Sequence, residues 1–247
     1  MGKPTKGIGI ALCLVAVILF MTLSGIYFYA TGQRFIAVAG MEAETEPLLL
    51  IIDPGHGGMD GGATSLTGVE ERELNLEIAL RLEALAALYG IPTEMTRRTA
   101  EIDYPEGANT IRQKKVADTR ARVELINAAT NAVVISIHQN IYDGASASGP
   151  QVLFANTAES EAFGLNMQEA LTEALDLTRP RAPIQVRQGV YIMNHIDTPA
   201  ILVECGFLSN PEEEAALRTE IYQIRLASAL LSGYIRSLEL FQARYFG

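Results

Sequence analysis

The chain has 247 residues and a formal net charge of −10, with 29 Asp and Glu residues against 19 Lys and Arg. This acidic balance argues against nucleic acid as a partner, because phosphate binding needs an excess of Lys and Arg. Only two cysteines are present, Cys13 and Cys205, so no disulfide framework is available and an apolar core must stabilise the fold. All acidic residues follow Gly40, in a stretch of roughly 200 residues that has the size of one domain.

The N-terminal segment contains an uncharged apolar run. Gly7 to Ala30 spans 24 residues, enough for a helix to cross a ~30 Å hydrocarbon layer. Lys3 and Lys6 precede the run, which by the positive-inside rule places the N-terminus in the cytoplasm and the rest outside it. The length of the run favours an uncleaved membrane anchor, and a signal peptide cut after Ala39 is the alternative. We predict a cytoplasmic N-terminus over 1–6, this anchor or signal segment over 7–30, a linker over 31–46 and one domain over 47–247.

Beyond the linker, short apolar runs alternate with longer amphipathic ones. Runs rich in Val, Ile and Leu predict strands over Leu48–Asp53, Pro92–Arg97, Ala132–His138, Pro150–Ala155, Val190–Asn194 and Ala200–Gly206. Apolar residues spaced three or four apart predict helices over Glu71–Tyr89, Arg112–Ala129, Glu159–Leu175 and Ile221–Leu240. This alternation predicts an α/β fold with a mostly parallel or mixed sheet of about six strands, flanked by helices on both faces.

Two histidines lie at predicted strand ends, where the sites of such sheets gather. His56 follows the first strand in a turn with five glycines, a composition that indicates a tightly bent backbone. A phosphate-binding loop would need a G-x-x-x-x-G-K-[ST] or G-x-G-x-x-G pattern opening a helix, and neither is present. His138 ends the third strand. Imidazole is the commonest protein metal ligand, but His195 also precedes a strand, so spacing alone does not choose the pair.

Two glutamates are further candidates. Glu71 stands at the start of the first predicted helix, where an acidic residue complements the helix dipole and needs no other function. Glu70 is its neighbour, and composition does not separate the two. Glu204 ends an otherwise apolar strand. Because burying an unpaired carboxylate is costly, we expect Glu204 to be paired, to face a metal or to have a raised pKa.

Four motifs occur in an order that resembles the N-acetylmuramoyl-L-alanine amidase family, over essentially Leu48 to the C-terminus. They are Asp53-Pro54-Gly55-His56-Gly57-Gly58, the turn Gly68-Val69-Glu70-Glu71-Arg72, Ser136-Ile137-His138-Gln139-Asn140, and Leu202 to Asn210. The resemblance implies that His56, Glu71 and His138 bind one Zn²⁺ and that Glu204 is catalytic. It also selects Glu71 over Glu70 and leaves His195 at the rim of the site. Arg72 stands where the family usually has Lys.

The resemblance implies hydrolysis of the amide bond between N-acetylmuramic acid and L-alanine in peptidoglycan. Two imidazoles and one carboxylate leave the fourth tetrahedral position of zinc open for water, as in catalytic zinc sites. Glu204 would accept the proton of that water and pass it to the leaving amine. The alternatives are a zinc peptidase of the cell wall such as a carboxypeptidase, a division-type amidase, and a catalytically inactive binding protein.

The domain plan resembles one subgroup of the family. A single short domain behind one apolar segment, with no wall-binding module, is similar to the germination-specific sporulation cortex amidases. Gly149–Ala155 follows the second histidine motif closely and leaves no room for the helical insertion of division-type members. The resemblance implies muramic-δ-lactam formation in the spore cortex by a membrane-anchored, extracytoplasmic enzyme that cooperates with a peptidoglycan deacetylase.

Overall fold

The computed structural model describes residues 47–246. The segments predicted over 1–6, 7–30 and 31–46 lie outside the described residues, so their assignment stays a prediction. Within residues 47–246, no helix combines the length and apolar composition needed to cross a bilayer.

The described part of the chain contains one six-stranded sheet with the order β2-β1-β3-β6-β4-β5. The strands are β1 (Leu49–Pro54), β2 (Thr93–Met95), β3 (Ala132–Asn140), β4 (Gln151–Phe154), β5 (Ile184–Gln185) and β6 (Ala200–Phe207). Neighbouring strands are parallel except β4 and β6, which pair antiparallel. The mixed α/β sheet predicted from the sequence is therefore confirmed.

Helices cover both faces of this sheet. They are α1 (Glu71–Leu88), α2 (Ile111–Ala128), α3 (Ala158–Ala174), α4 (Pro211–Leu217), α5 (Glu220–Arg236) and α6 (Leu238–Phe246), with a 3₁₀ turn over Ile192–Asn194. Residues of α1, α3, α5 and α6 form the larger apolar core on one face. A smaller core on the other face is closed by Ile126 of α2 and Met193 of the 3₁₀ turn.

The helices on the two faces attach to the sheet in different ways. Helix α1 buries Leu74, Ile78 and Leu82 at helical spacing, so apolar area removed from water stabilises its contact with the sheet. Helix α2 begins at a capping box formed by Thr110, and among its residues only Arg122 and Ile126 are buried. Its attachment to the sheet therefore depends largely on polar contacts.

Two predicted elements were wrong in kind or extent. Val190–Asn194 is not a strand but the region of the 3₁₀ turn, because Asn194 Nδ2 donates to the carbonyls of Arg187 (3.0 Å) and Val190 (2.7 Å) and bends the chain locally. The edge strand is β5 instead. Ile221–Leu240 is not one helix, since α5 ends at Arg236. The next residue, Ser237, caps it, and its Oγ donates back to the carbonyl of Gly233 at 2.9 Å. The short helix α4 was not predicted.

Candidate active site

Three of the predicted site residues meet at the carboxyl edge of the sheet. His56 follows β1, Glu71 is the first residue of α1, and His138 lies near the end of β3. Glu71 Oε2 is 3.2 Å from His56 Nε2, and Glu71 Oε1 is 2.8 Å from His138 Nδ1. One ligand atom of each residue lies within 4.8 Å of the others. Two imidazoles and one carboxylate in this arrangement form a donor set of the kind that binds Zn²⁺.

The structure separates the two adjacent glutamates. Glu70 forms an ion pair with Arg72 at 2.6 Å, away from the histidines. The Glu71 carboxylate is buried and accepts hydrogen bonds from the backbone N–H of Ala63 at 2.8 Å and of Gln139 at 3.0 Å. These donors hold both of its oxygens towards the histidines. Glu71 is therefore part of the cluster. An acidic residue that only complemented the helix dipole would not need these contacts.

Two glycines of the turn after β1 are required by the closeness of the ligands. A Cβ at Gly55 would lie 2.3 Å from the ring of His138, well inside any tolerated contact. At Gly62, φ is +71°, and a Cβ would lie 2.5 Å from Glu71 Oε2 and 2.7 Å from the His56 ring. The glycine content of this turn thus follows from how tightly the backbone packs around the three side chains.

The backbone of His56 adopts a conformation that is uncommon for a residue with a side chain, with φ at +60°. Two buried arginines hold it there through the His56 carbonyl. Arg97 Nε donates to that oxygen at 2.7 Å and Arg122 Nη2 donates to it at 2.6 Å. Arg97 Nη2 also donates to the carbonyl of Gly55 at 3.0 Å. Neither arginine was assigned a role from the sequence. Arg97 ends the predicted strand Pro92–Arg97, which was the available signal, whereas Arg122 lies within α2.

Asp53 anchors Arg122 beneath this turn. The Asp53 carboxylate is fully buried and contacts Arg122 Nη1 at 2.8 Å, Ser136 Oγ at 2.7 Å and Thr96 Oγ1 at 2.7 Å. Burial alone would raise its pKa, but the Arg122 charge and the two hydroxyl donors outweigh burial and lower the pKa to about 2. Asp53 is therefore ionised at neutral pH and fixes the guanidinium that holds His56.

Asp60 sets the orientation of the His56 ring. Its Oδ2 lies 2.9 Å from His56 Nδ1 and 2.8 Å from Lys115 Nζ of α2. Binding of Nδ1 to a carboxylate leaves Nε2 directed at the cluster, the usual arrangement around a metal-binding histidine. Burial opposes protonation of His56, but the hydrogen bonds to Asp60 and Glu71 outweigh it and raise the pKa of His56 to about 9. The same two carboxylates make this position favourable for a cation.

Glu204 faces the cluster from the neighbouring strand. It stands opposite His138 in the parallel register of β3 and β6, where the pairing becomes irregular between His138 and Asn140. Its Oε2 atom is buried without a hydrogen-bond partner among the described residues. Burial raises the pKa of Glu204. A buried carboxylate oxygen without a partner is costly in a purely structural role, and this one borders a cleft.

The cleft has a volume of about 290 Å³, and its lining includes His56, His138 and Glu204. One wall is polar and belongs to α2, with Lys115, Asp118 and Thr119. A second wall, residues 189–193, is apolar and aromatic.

His195 is not one of the residues that line this cleft. It stacks on Tyr191, with ring centroids 3.8 Å apart. The structure therefore does not bring it to the cluster of His56, Glu71 and His138.

Comparisons with known proteins agree on one family. The sequence profile described as N-acetylmuramoyl-L-alanine amidase (Amidase_3) matches residues 50–236. The germination-specific N-acetylmuramoyl-L-alanine amidase of Bacillus subtilis (strain 168) is 35% identical over 189 residues, 76% of this chain and 78% of that protein. N-acetylmuramoyl-L-alanine amidase AmiC of Escherichia coli O6:H1 is 29% identical, and the chain spans about half of it, 54%.

A solved structure shows the same fold. The CwlD amidase from Clostridioides difficile, solved in complex with the GerS lipoprotein, superposes with a TM-score of 0.74 at 32% identity. The match covers 78% of this chain and 99% of that one. The similarity thus includes the whole of the solved amidase chain.

Proposed function

Since the chain belongs to the N-acetylmuramoyl-L-alanine amidase family, a family of peptidoglycan hydrolases, we propose that it uses one Zn²⁺ to cut the amide bond between N-acetylmuramic acid and L-alanine. The observation that carries this proposal is the cluster of His56, Glu71 and His138 in one cleft with the unpartnered carboxylate of Glu204. Metal ligands alone would suit a structural site. A carboxylate beside an open position is what hydrolysis needs.

The residues present fit a zinc ion on three counts. The donor set is two imidazoles and one carboxylate, which leaves an open position in a tetrahedral site. Asp60 and the backbone donors to Glu71 orient the ligand atoms in the way that supports metal binding. Alanine at Gly55 or Gly62 would place its Cβ against His138 or Glu71. The third count is therefore that glycine at these two positions lets the backbone pack directly against the three side chains and keeps them close together.

The proposed chemistry divides between the ion and the chain. A bound Zn²⁺ would polarise the amide carbonyl and lower the pKa of a bound water towards ~7. Glu204 accepts a proton from the attacking water and then donates it to the nitrogen of L-alanine as the C–N bond breaks. A new C–O bond forms on the lactyl carbonyl carbon, so the products are a carboxylic acid on the glycan and a free amino terminus on the peptide.

The test is digestion of purified peptidoglycan and identification of the new ends. We expect new L-alanine amino termini, whereas release of D-alanine would show a carboxypeptidase and refute the proposal. Glu204→Gln should keep one zinc per chain but lower kcat at least about 100-fold, since general acid–base catalysis contributes at least that much. Near-normal turnover by Glu204→Gln would show that another group moves the proton.

We further propose that the wall substrate is the spore cortex and that the reaction prepares muramic-δ-lactam together with a deacetylase. The Bacillus subtilis relative is named germination-specific, and the connection between β3 and β4, residues 141–150, contains no helix that could cover the site. The relative from Clostridioides difficile is seen with a lipoprotein, so a lipoprotein partner at the membrane is part of this proposal. Cortex from spores lacking the protein should contain no muramic-δ-lactam, and normal lactam content would refute the cortex assignment.

A further inference from the structure

The apolar wall of the cleft, residues 189–193, carries one feature that zinc chemistry does not use. Among the described residues that line the cleft, Tyr191 is the only Phe, Tyr or Trp, and the whole sequence contains no tryptophan. Tyr191 is 42% exposed. An exposed ring at the mouth of a catalytic cleft is available to a substrate.

The ring of Tyr191 is held from behind. His195 stacks on it with centroids 3.8 Å apart and an angle of 17° between the planes. The same two residues are joined again, because His195 Nδ1 lies 2.8 Å from the Tyr191 carbonyl. One face of the tyrosine is thus covered by the histidine, and only the other face and the edge are free for contact.

Hydrogen bonds and burial fix the segment that carries this pair, residues 191–195. Asn194 Nδ2 donates to the carbonyls of Arg187 and Val190, and Met193 is buried beneath the turn. Asn127 of α2 donates to the His195 carbonyl at 3.0 Å, which ties this segment to the helix that carries the polar wall. The ring is therefore presented by an ordered turn, and little conformational freedom is lost when a ligand binds.

The lining of the cleft offers one polar and one aromatic part, and the proposed substrate has a peptide part and a sugar part. An amide between a sugar and a peptide must place a pyranose ring on one side of the reacting carbon and a peptide backbone on the other. The polar wall of Lys115, Asp118 and Thr119 suits the hydrogen-bonding groups of a peptide. The C–H face of a pyranose is apolar and flat, which suits the open face of an aromatic ring.

We propose that Tyr191 is a specificity-determining residue that stacks against a pyranose ring of the glycan strand, and that His195 is the positioning residue for its ring. This inference rests on the proposed function for the identity of the substrate. It gives the third histidine, which binds no metal in the cluster, a role in substrate recognition.

The direct test uses the absence of tryptophan from the chain. Tyr191→Trp provides a single tryptophan in the cleft, and its emission is followed while glycan strands freed of stem peptides are added. We expect a saturable change in emission for this variant. Tyr89→Trp is the matched control, since Tyr89 is 68% exposed at the end of α1 and does not line the cleft. No change for Tyr191→Trp, or an equal change for both variants, would overturn the proposal.

Kinetics separate recognition from a structural role. Tyr191→Ala should raise KM for peptidoglycan about five- to ten-fold, the worth of one aromatic contact, with kcat within about twofold and zinc content unchanged. Tyr191→Phe should remain close to the unmodified protein. His195→Ala should raise KM less, about threefold, and His195→Phe should restore it because the stack is kept. A fall in kcat with unchanged KM, or equal losses for the Ala and Phe variants at either position, would contradict the assignment.

The two proposals fail in different ways. If the chain lacks amidase activity, the unmodified protein releases no L-alanine amino termini, while the fluorescence titration still reports glycan binding at Tyr191. If only the stacking proposal is wrong, activity is present and the Tyr191→Trp emission does not respond to glycan.

Discussion

The buried ion pair between Arg122 and Asp53 lies under the turn that carries His56, and Arg122→Met tests its contribution to stability. The substitution keeps the apolar stem but leaves the fully buried Asp53 carboxylate with only two hydroxyl donors. The lowering of the Asp53 pKa from 3.8 to about 2 corresponds to about 2.5 kcal/mol in favour of the ionised folded state. The carbonyls of Pro54 and His56 lose a donor as well. We therefore expect a loss of about 3–5 kcal/mol in the free energy of unfolding.

The assay is urea unfolding at pH 7 of a double-mutant cycle with Asp53→Asn, which isolates the coupling between the two side chains. Arg98→Met is the control, because Arg98 pairs with Glu83 at the surface and is 53% exposed. An exposed pair of this kind contributes at most about 1 kcal/mol. If Arg122→Met cost no more than Arg98→Met, the pair would not support the turn and the reasoning would be refuted.

The pH dependence of the same variant has a defined sign. The pKa of Asp53 is lower in the folded protein than in the unfolded chain. Its contribution is therefore present above about pH 4 and is lost as the pH falls towards 2. In Arg122→Met the buried carboxylate lacks its opposite charge, so its pKa rises. The difference in stability between the two proteins should be largest near neutral pH and should narrow below about pH 4. A gap that stays constant from pH 7 to pH 3 would show that ionised Asp53 is not the cause.

Two further substitution pairs test the ligand cluster. Gly62→Ala should lower zinc occupancy after dialysis, because the added Cβ would meet Glu71 and His56. Gly68→Ala is the control, since Gly68 has a similar positive φ but nothing within 4 Å, and this change should cost only about 1–2 kcal/mol of backbone strain. Equal zinc contents in the two variants would contradict this prediction. Glu71→Gln should weaken zinc binding at least about 100-fold, measured by chelator competition, since loss of a supporting residue alone costs about 10–100-fold. Glu70→Gln breaks only the surface pair with Arg72 and should bind zinc normally. Loss of zinc from Glu70→Gln instead would show that the ligand was misassigned.

Much of the fold was predictable because its local patterns and its tertiary contacts agree. The runs around Leu49–Pro54 and Ala200–Phe207 are buried on both faces of the sheet, so they consist of continuous apolar residues that are visible in the sequence. The predictions of secondary structure were wrong where hydrogen bonds of nearby side chains set the backbone conformation against the hydropathy pattern. Asn194 curls an apolar run into a 3₁₀ turn, and Ser237 ends α5 inside a continuous apolar pattern.

The candidate site was predictable only in part. His56 and His138 were candidates because each lies at the end of a predicted strand, where the sites of such sheets gather, but spacing did not exclude His195. Their partner Glu71 looked like an ordinary helix-start acid, and a family resemblance was needed to select it. The structure gives the physical difference, since backbone donors from Ala63 and Gln139 hold the Glu71 carboxylate against the histidines. The Gln139 donor comes from a strand 68 residues further along the chain, and periodicity does not report such a contact.

The amino-acid sequence by itself determined the layer order of this domain, the strand ends at which chemistry occurs and the types of residue able to bind zinc. These depend on composition, spacing and motif order, which are properties of short segments. Only the tertiary structure decided which backbone donor of β3 holds the Glu71 carboxylate against the histidines, and which arginines hold the strained backbone of His56. Each of these depends on distances between segments separated along the chain. Such distances are set by how the helices and loops pack on the sheet, and no local pattern encodes them.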